Sequence, residues 1–107
     1  MDRKYFLVIT TLPDLEKGKE ISRVLVKEKL AACVNLIPGL TSIYWWKGDV
    51  TEDKEIIALI KTNSDRLEQL MERLRQLHPY ELPEILVLEI KEGLKAYLNW
   101  IDTSVSS

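Results

Sequence analysis

The sequence predicts an α+β fold: a four-stranded antiparallel sheet in the ferredoxin-like order βαββαβ, with a short C-terminal helix. Three observations predict it. Short runs rich in β-branched and aromatic residues recur between turn signals, as strands do. Two of the intervals between them carry apolar residues at helical spacing. The runs Tyr5–Thr10 and Ile85–Ile90 are apolar at successive positions, so both faces of their sheet need cover. Right-handed crossovers place both long helices on one face, and in a chain this short the expected cover for the other is another copy of itself.

The elements follow in order. Tyr5–Thr10 is a strand buried on both faces, stopped by Thr11-Leu12-Pro13-Asp14. Asp14 is a helix cap; Ile21, Val24, Leu25 and Glu28 lie near one face of a helix over about 15–30, Leu30 and Ala31 close its apolar stripe, and Gly18 weakens its first turn. Ala32–Ile37 is a second strand, bent at Pro38-Gly39 and continued through Thr41–Trp46. Lys47-Gly48-Asp49 turns the chain. The return strand, 50–62, alternates with charge through Glu55 and is apolar from Ile56 to Ile60, so the far end of this hairpin projects from the core. Asp65 and Glu68 have capping-box spacing ahead of the helix carrying Leu67, Leu70, Met71, Leu74 and Leu77. The stretch His78-Pro79-Tyr80-Glu81-Leu82-Pro83-Glu84 ends that helix, because its two prolines forbid helix and central strand alike. After Ile85–Ile90 comes a short helix, Leu94 to Ile101. Residues 1–107 form one domain, with 102–107 expected as a frayed tail.

Composition narrows the function. The 107 residues are 46% hydrophobic and 30% charged, which excludes a disordered chain. Fifteen basic residues against 17 acidic give a net charge of -2, which argues against nucleic acid or an anionic membrane as partner. No apolar run approaches the roughly 20 residues that span a bilayer. The N-terminus has no signal-peptide pattern, and the single cysteine, Cys33, makes no internal disulfide; both point to the cytoplasm.

The chemistry-bearing residues are few. The four glycines are isolated, so no phosphate-cradling loop exists, and no nucleophile pattern is present. One cysteine and one histidine are too few for a zinc site without carboxylates. Cys33 reads first as a small buried strand residue and second as a ligand or redox thiol. His78 reads first as a helix-end imidazole complementing the dipole and second as a ligand or proton-transfer group. Tyr44-Trp45-Trp46 cannot all face one core, because strand side chains alternate; an inter-subunit seam is favoured over a stacking platform. Tyr80, Glu81 and Glu84 are held by Pro79 and Pro83, which marks fixed contacts and a candidate acid/base or cation site.

Three stretches together resemble one family: Glu28-Lys29-Leu30-Ala31-Ala32-Cys33-Val34-Asn35, Tyr44-Trp45-Trp46-Lys47-Gly48, and His78-Pro79-Tyr80-Glu81-Leu82-Pro83-Glu84. This is similar to the divalent-cation-tolerance (CutA) family, in one register from Tyr5 to Ile101. The resemblance implies a ferredoxin-like subunit in a compact homotrimer, no settled enzymatic activity, and a link to tolerance of divalent metals, copper above all. A signalling role with an unidentified partner follows by analogy of fold only. The resemblance also implies a copper site of one cysteine at the end of the first strand and two consecutive histidines before the Pro-Tyr motif. Here those positions are Thr10, Leu77 and His78, and Thr10 and Leu77 are poor copper ligands.

The expectation is therefore a non-enzymatic homotrimer of metal tolerance or homeostasis. Copper or another divalent cation would be bound weakly by His78, Cys33, Glu81 or Glu84, and Tyr44, Trp45, Trp46, Tyr80 and Glu81 would lie at a subunit interface or inter-subunit cleft. Two alternatives stand beside it. One is a sensor of an anionic or ring-shaped small molecule in such clefts. The other is a small acid/base enzyme using Glu81 or His78.

Overall fold

The computed structural model describes residues 3–107. Its elements are β1 (Tyr5–Leu12), α1 (Leu15–Lys27), β2 (Cys33–Trp46), β3 (Asp49–Asn63), α2 (Leu67–Leu77), β4 (Leu86–Ile90) and α3 (Lys95–Val105). The sheet order is β2-β3-β1-β4 and every neighbouring pair is antiparallel, as the βαββαβ order requires.

Alternation sorts the strands into two faces. One carries Val8, Leu12, Ile56, Ala58 and Ile60, which pack with Ile21 and Leu25 of α1 and Leu70 and Leu74 of α2. Gly18 is buried where α1 presses on the sheet: a Cβ there would lie 2.5 Å from Ile56 Cδ1 and 3.3 Å from Leu36 Cδ2. Its weak helix propensity is thus offset by close packing. The other face carries Leu7, Ile9, Ile57 and Leu59, with Ile37, Leu86 and Leu88 about half exposed. α3 covers only one end of it, where Ile101 and Val105 pack with Ala32, Tyr5 and Leu98.

The hairpin β2–β3 gives the molecule its elongated shape, 47 × 25 × 23 Å. Lys47 and Gly48, with φ of 49° and 86°, form its tip, and such paired positive φ values match the twist of the strands. Pro38 and Gly39 are not a break but a bulge: β2 runs through them, the register shifts between Ile37 and Leu40, and Gly39 takes a φ of 82°.

Other boundaries differ from expectation for local reasons. β1 continues through Thr11 and Leu12, because these pair with Ile57 and Ile56. α1 stops at Lys27 rather than near residue 30. Lys29 takes a φ of 61°, Leu30 N–H bonds Leu25 O and Lys29 N–H bonds Val26 O, a Schellman closure. The Asp65 capping box does not form: α2 begins at Leu67 after Arg66, with no side-chain cap. The tail expected to fray from residue 102 is helical through Val105, which is fully buried, and Val105 O accepts from Arg66 Nε.

Candidate functional site

Strand alternation in the projecting hairpin aims Ser42, Tyr44 and Trp46 of β2 and Asp53 and Glu55 of β3 to one side. The α2–β4 loop lies over that side. Together they enclose an open cleft of about 880 Å³, whose walls also include Thr11, Pro13, Lys54, Pro79, Glu81, Leu82 and Glu84.

A polar chain fixes the loop against the sheet. His78 is 8% exposed. Its Nδ1 accepts from the backbone N–H of Tyr80 at 3.2 Å, so the proton is assigned to Nε2. That N–H is directed to Thr11 O at 2.9 Å and Thr10 Oγ1 at 3.0 Å. Two residues on, Tyr80 O–H donates to Glu55 Oε2 at 2.6 Å, and the tyrosine ring lies 4.8 Å from the imidazole. Burial, followed by the Glu55 carboxylate, pushes the Tyr80 phenol far above its ordinary value, so it remains a donor. Burial holds the His78 imidazole below its ordinary value, against the opposing pull of Thr11 O and Glu55. Nearer the tip, Tyr44 O–H donates to Asp53 Oδ2, a contact that raises the Tyr44 phenol.

These positions revise several expectations. His78 is a buried neutral imidazole with both ring nitrogens engaged, not a partly charged group complementing the helix dipole. Thr10, at the position where the resemblance implies a cysteine, is fully buried and a hydrogen-bond partner of His78. Cys33 is not in the core: it is half-buried on the incompletely covered sheet face, with Lys61 Nζ 4.0 Å from Sγ and Asn35 beside it. Glu81 and Glu84 line the cleft, and both are exposed. The four candidate ligands therefore do not converge within one chain, and among the described residues no three His, Cys, Asp or Glu side chains are grouped to hold a metal ion. An ammonium beside Cys33 and fully used nitrogens on His78 do not fit a preformed metal site.

The aromatic run divides between the faces, as alternation demands. All three border the cleft, with Tyr44 and Trp46 on its side of the hairpin, whereas alternation sets the Trp45 side chain with Ile43 and Val50 on the other; Trp45 is 73% exposed. Sequence reasoning missed Glu55, Asp53 and Thr11. The available signal was Glu55 as the last charge before the apolar run Ile56–Ile60, an acid at the mouth of a buried strand.

A four-stranded ferredoxin-like subunit with an extended β2–β3 hairpin and a His-Pro-Tyr loop folded over it defines the class. Within that class the chain belongs to the CutA1 divalent ion tolerance proteins, whose family model matches residues 6–104. It is 50% identical over 95 residues to the divalent-cation tolerance protein CutA of Thermus thermophilus, covering 89% of this chain and 92% of that one. It is 47% identical over 91 residues to protein CutA of Mus musculus, where it spans about half the relative's length. The crystal structure of CutA from Xylella fastidiosa superposes with a TM-score of 0.93 at 45% identity, covering 95% of this chain and 98% of that one. A relative from Archaeoglobus fulgidus, 34% identical with a TM-score of 0.92 over 95% of this chain and 99% of that one, is described as a periplasmic divalent cation tolerance protein. Among the described residues no helix is long and apolar enough to cross a membrane.

Proposed function

We propose that this protein is a non-enzymatic homotrimer serving divalent-metal tolerance, that copper is among the metals it meets, and that it meets them by weak carboxylate binding. The observation that carries the reading is the half-exposed apolar sheet face, with Ile37, Leu86 and Leu88 open beside a hairpin whose tip presents Ile43, Trp45 and Val50. Isolated exposed apolar residues are ordinary, but a sheet face and a projecting hairpin both left apolar mark an assembly surface. A three-fold arrangement gives each hairpin a neighbouring subunit to lie on. The lone unpaired cysteine favours the cytoplasm as its compartment. A signalling partner remains a proposal from analogy of fold.

For the metal, Glu81 and Glu84 are the proposed contacts, and His78 is assigned to positioning the loop. Isothermal titration with Cu(II) is expected to show affinity in the micromolar range or weaker. It should be little changed in His78→Ala and reduced in a Glu81→Gln/Glu84→Gln double variant. Submicromolar binding with one metal per trimer, lost in His78→Ala, would contradict this. The acid/base alternative loses its best member, since the His78 nitrogens are both occupied by protein partners. The small-molecule alternative gains one, the cleft itself.

A further inference from the structure

We infer that the cleft between the β2–β3 hairpin and the 79–84 loop binds an organic cation: an ammonium group carried on an apolar or aromatic body. The inference goes beyond metal tolerance and does not rest on it. It also reverses the sign of the ligand, since a site for an anion would need basic walls.

The first support is Glu55. It is 8% exposed, yet no cation lies within salt-bridge distance of it among the described residues. Its Oε2 is bonded to Tyr80, whose raised phenol stays protonated, remains the donor and orients the carboxyl group. Its Oε1 has no hydrogen-bond partner among the described residues. No sealed side-chain oxygen is left unpartnered there, so Oε1 opens on the cleft. Oε1 faces the cleft with no donor of the protein on it, and an incoming ammonium supplies that donor.

The second support is the surroundings. Asp53, Glu81 and Glu84 add three carboxylates to the walls against the single Lys54. Tyr44, Trp46 and Tyr80 supply ring faces, which attract cations through the ring quadrupole. Trp46 already takes one: Lys47 Nζ lies 5.7 Å from its ring centroid. The volume, about 880 Å³, suits a small organic molecule rather than a bare ion. A divalent metal would find one free oxygen on Glu55 and no grouped set of ligands among the described residues.

The test is titration of the wild-type protein with benzylammonium, followed by tryptophan emission and calorimetry, beside benzyl alcohol and benzoate of the same shape. Benzylammonium is expected to bind saturably, benzyl alcohol at least about tenfold more weakly, and benzoate not at all. Glu55→Gln, which keeps an acceptor for Tyr80, should lose at least about tenfold in affinity for benzylammonium only, with an unchanged far-ultraviolet spectrum. Should that variant fail to fold, Trp46→Leu and the alcohol comparison carry the test alone. Equal binding of alcohol and ammonium, preference for benzoate, or indifference to Glu55→Gln would overturn the inference. So would the absence of any binding, the outcome expected if a neighbouring copy fills the cleft.

Discussion

Replacing His78 by alanine tests the polar chain that holds the cleft together. The substitution leaves the Tyr80 N–H without its acceptor and removes the Nε2–H shared by Thr10 and Thr11. An unsatisfied buried group costs about 1–3 kcal/mol. The space left beside the buried Thr10 adds a cavity cost of about 24 cal/mol per Å³ that fails to collapse. A loss on the order of 3 kcal/mol follows, which is a drop of about 1–3 M in the urea midpoint at a fixed protein concentration. The pH dependence gives an independent arm, because His78 is the only histidine. Its folded value is held below the ordinary one, so the unfolded chain takes up a proton that the native chain does not. The stability it contributes is complete above about pH 6.5, the value of an unperturbed imidazole, and is lost as pH falls through the lower folded value. The alanine variant should lack this component. An unchanged midpoint together with an unchanged pH profile would refute the assignment of His78 as a buried neutral positioning residue.

Three further outcomes are expected. Tyr80→Phe removes the bond to Glu55 and should destabilise by about 1–3 kcal/mol in urea unfolding; a neutral result would mean the phenol contributes no net stability. Gly18→Ala gains about 1 kcal/mol of helix propensity but meets Ile56 and Leu36, and overpacking of roughly 1–3 kcal/mol should make calorimetric melting fall; a higher melting temperature would show that Ile56 yields freely. Cys33, on the open face beside Lys61, should react slowly with a thiol reagent at assembly concentrations and faster on dilution. A rate independent of protein concentration would separate that face from assembly.

Most of the fold is legible in the sequence because periodicity and turn chemistry agree: Leu67, Leu70 and Leu74 repeat at helical spacing, and Lys47-Gly48 meets the demand for positive φ at the hairpin tip. The errors fall where side chains distant in sequence intervene. Asp65 is not the cap of α2: its carboxylate is turned to Arg3, near the other end of the chain, at 3.2 Å. The last turns of α3 hold because Ile101 and Val105 meet Ala32 and Tyr5 at the far end of the chain. The site was half legible. Two prolines marked the loop of Tyr80, Glu81 and Glu84, and the aromatic run marked the hairpin. The one local signal for Glu55 is its place as the last charge before Ile56–Ile60; it lies 25 positions from Tyr80 and gains its meaning only when the α2–β4 loop folds over β3.

The open sheet face and the projecting hairpin make self-association the central claim, and multi-angle light scattering on a sizing column tests it most directly. At micromolar concentration the account predicts a mass of three 12.4 kDa chains, with the elution shifting toward smaller species when Leu88 is replaced by aspartate on the half-exposed sheet face. A clean 12.4 kDa peak from the wild-type protein would contradict it.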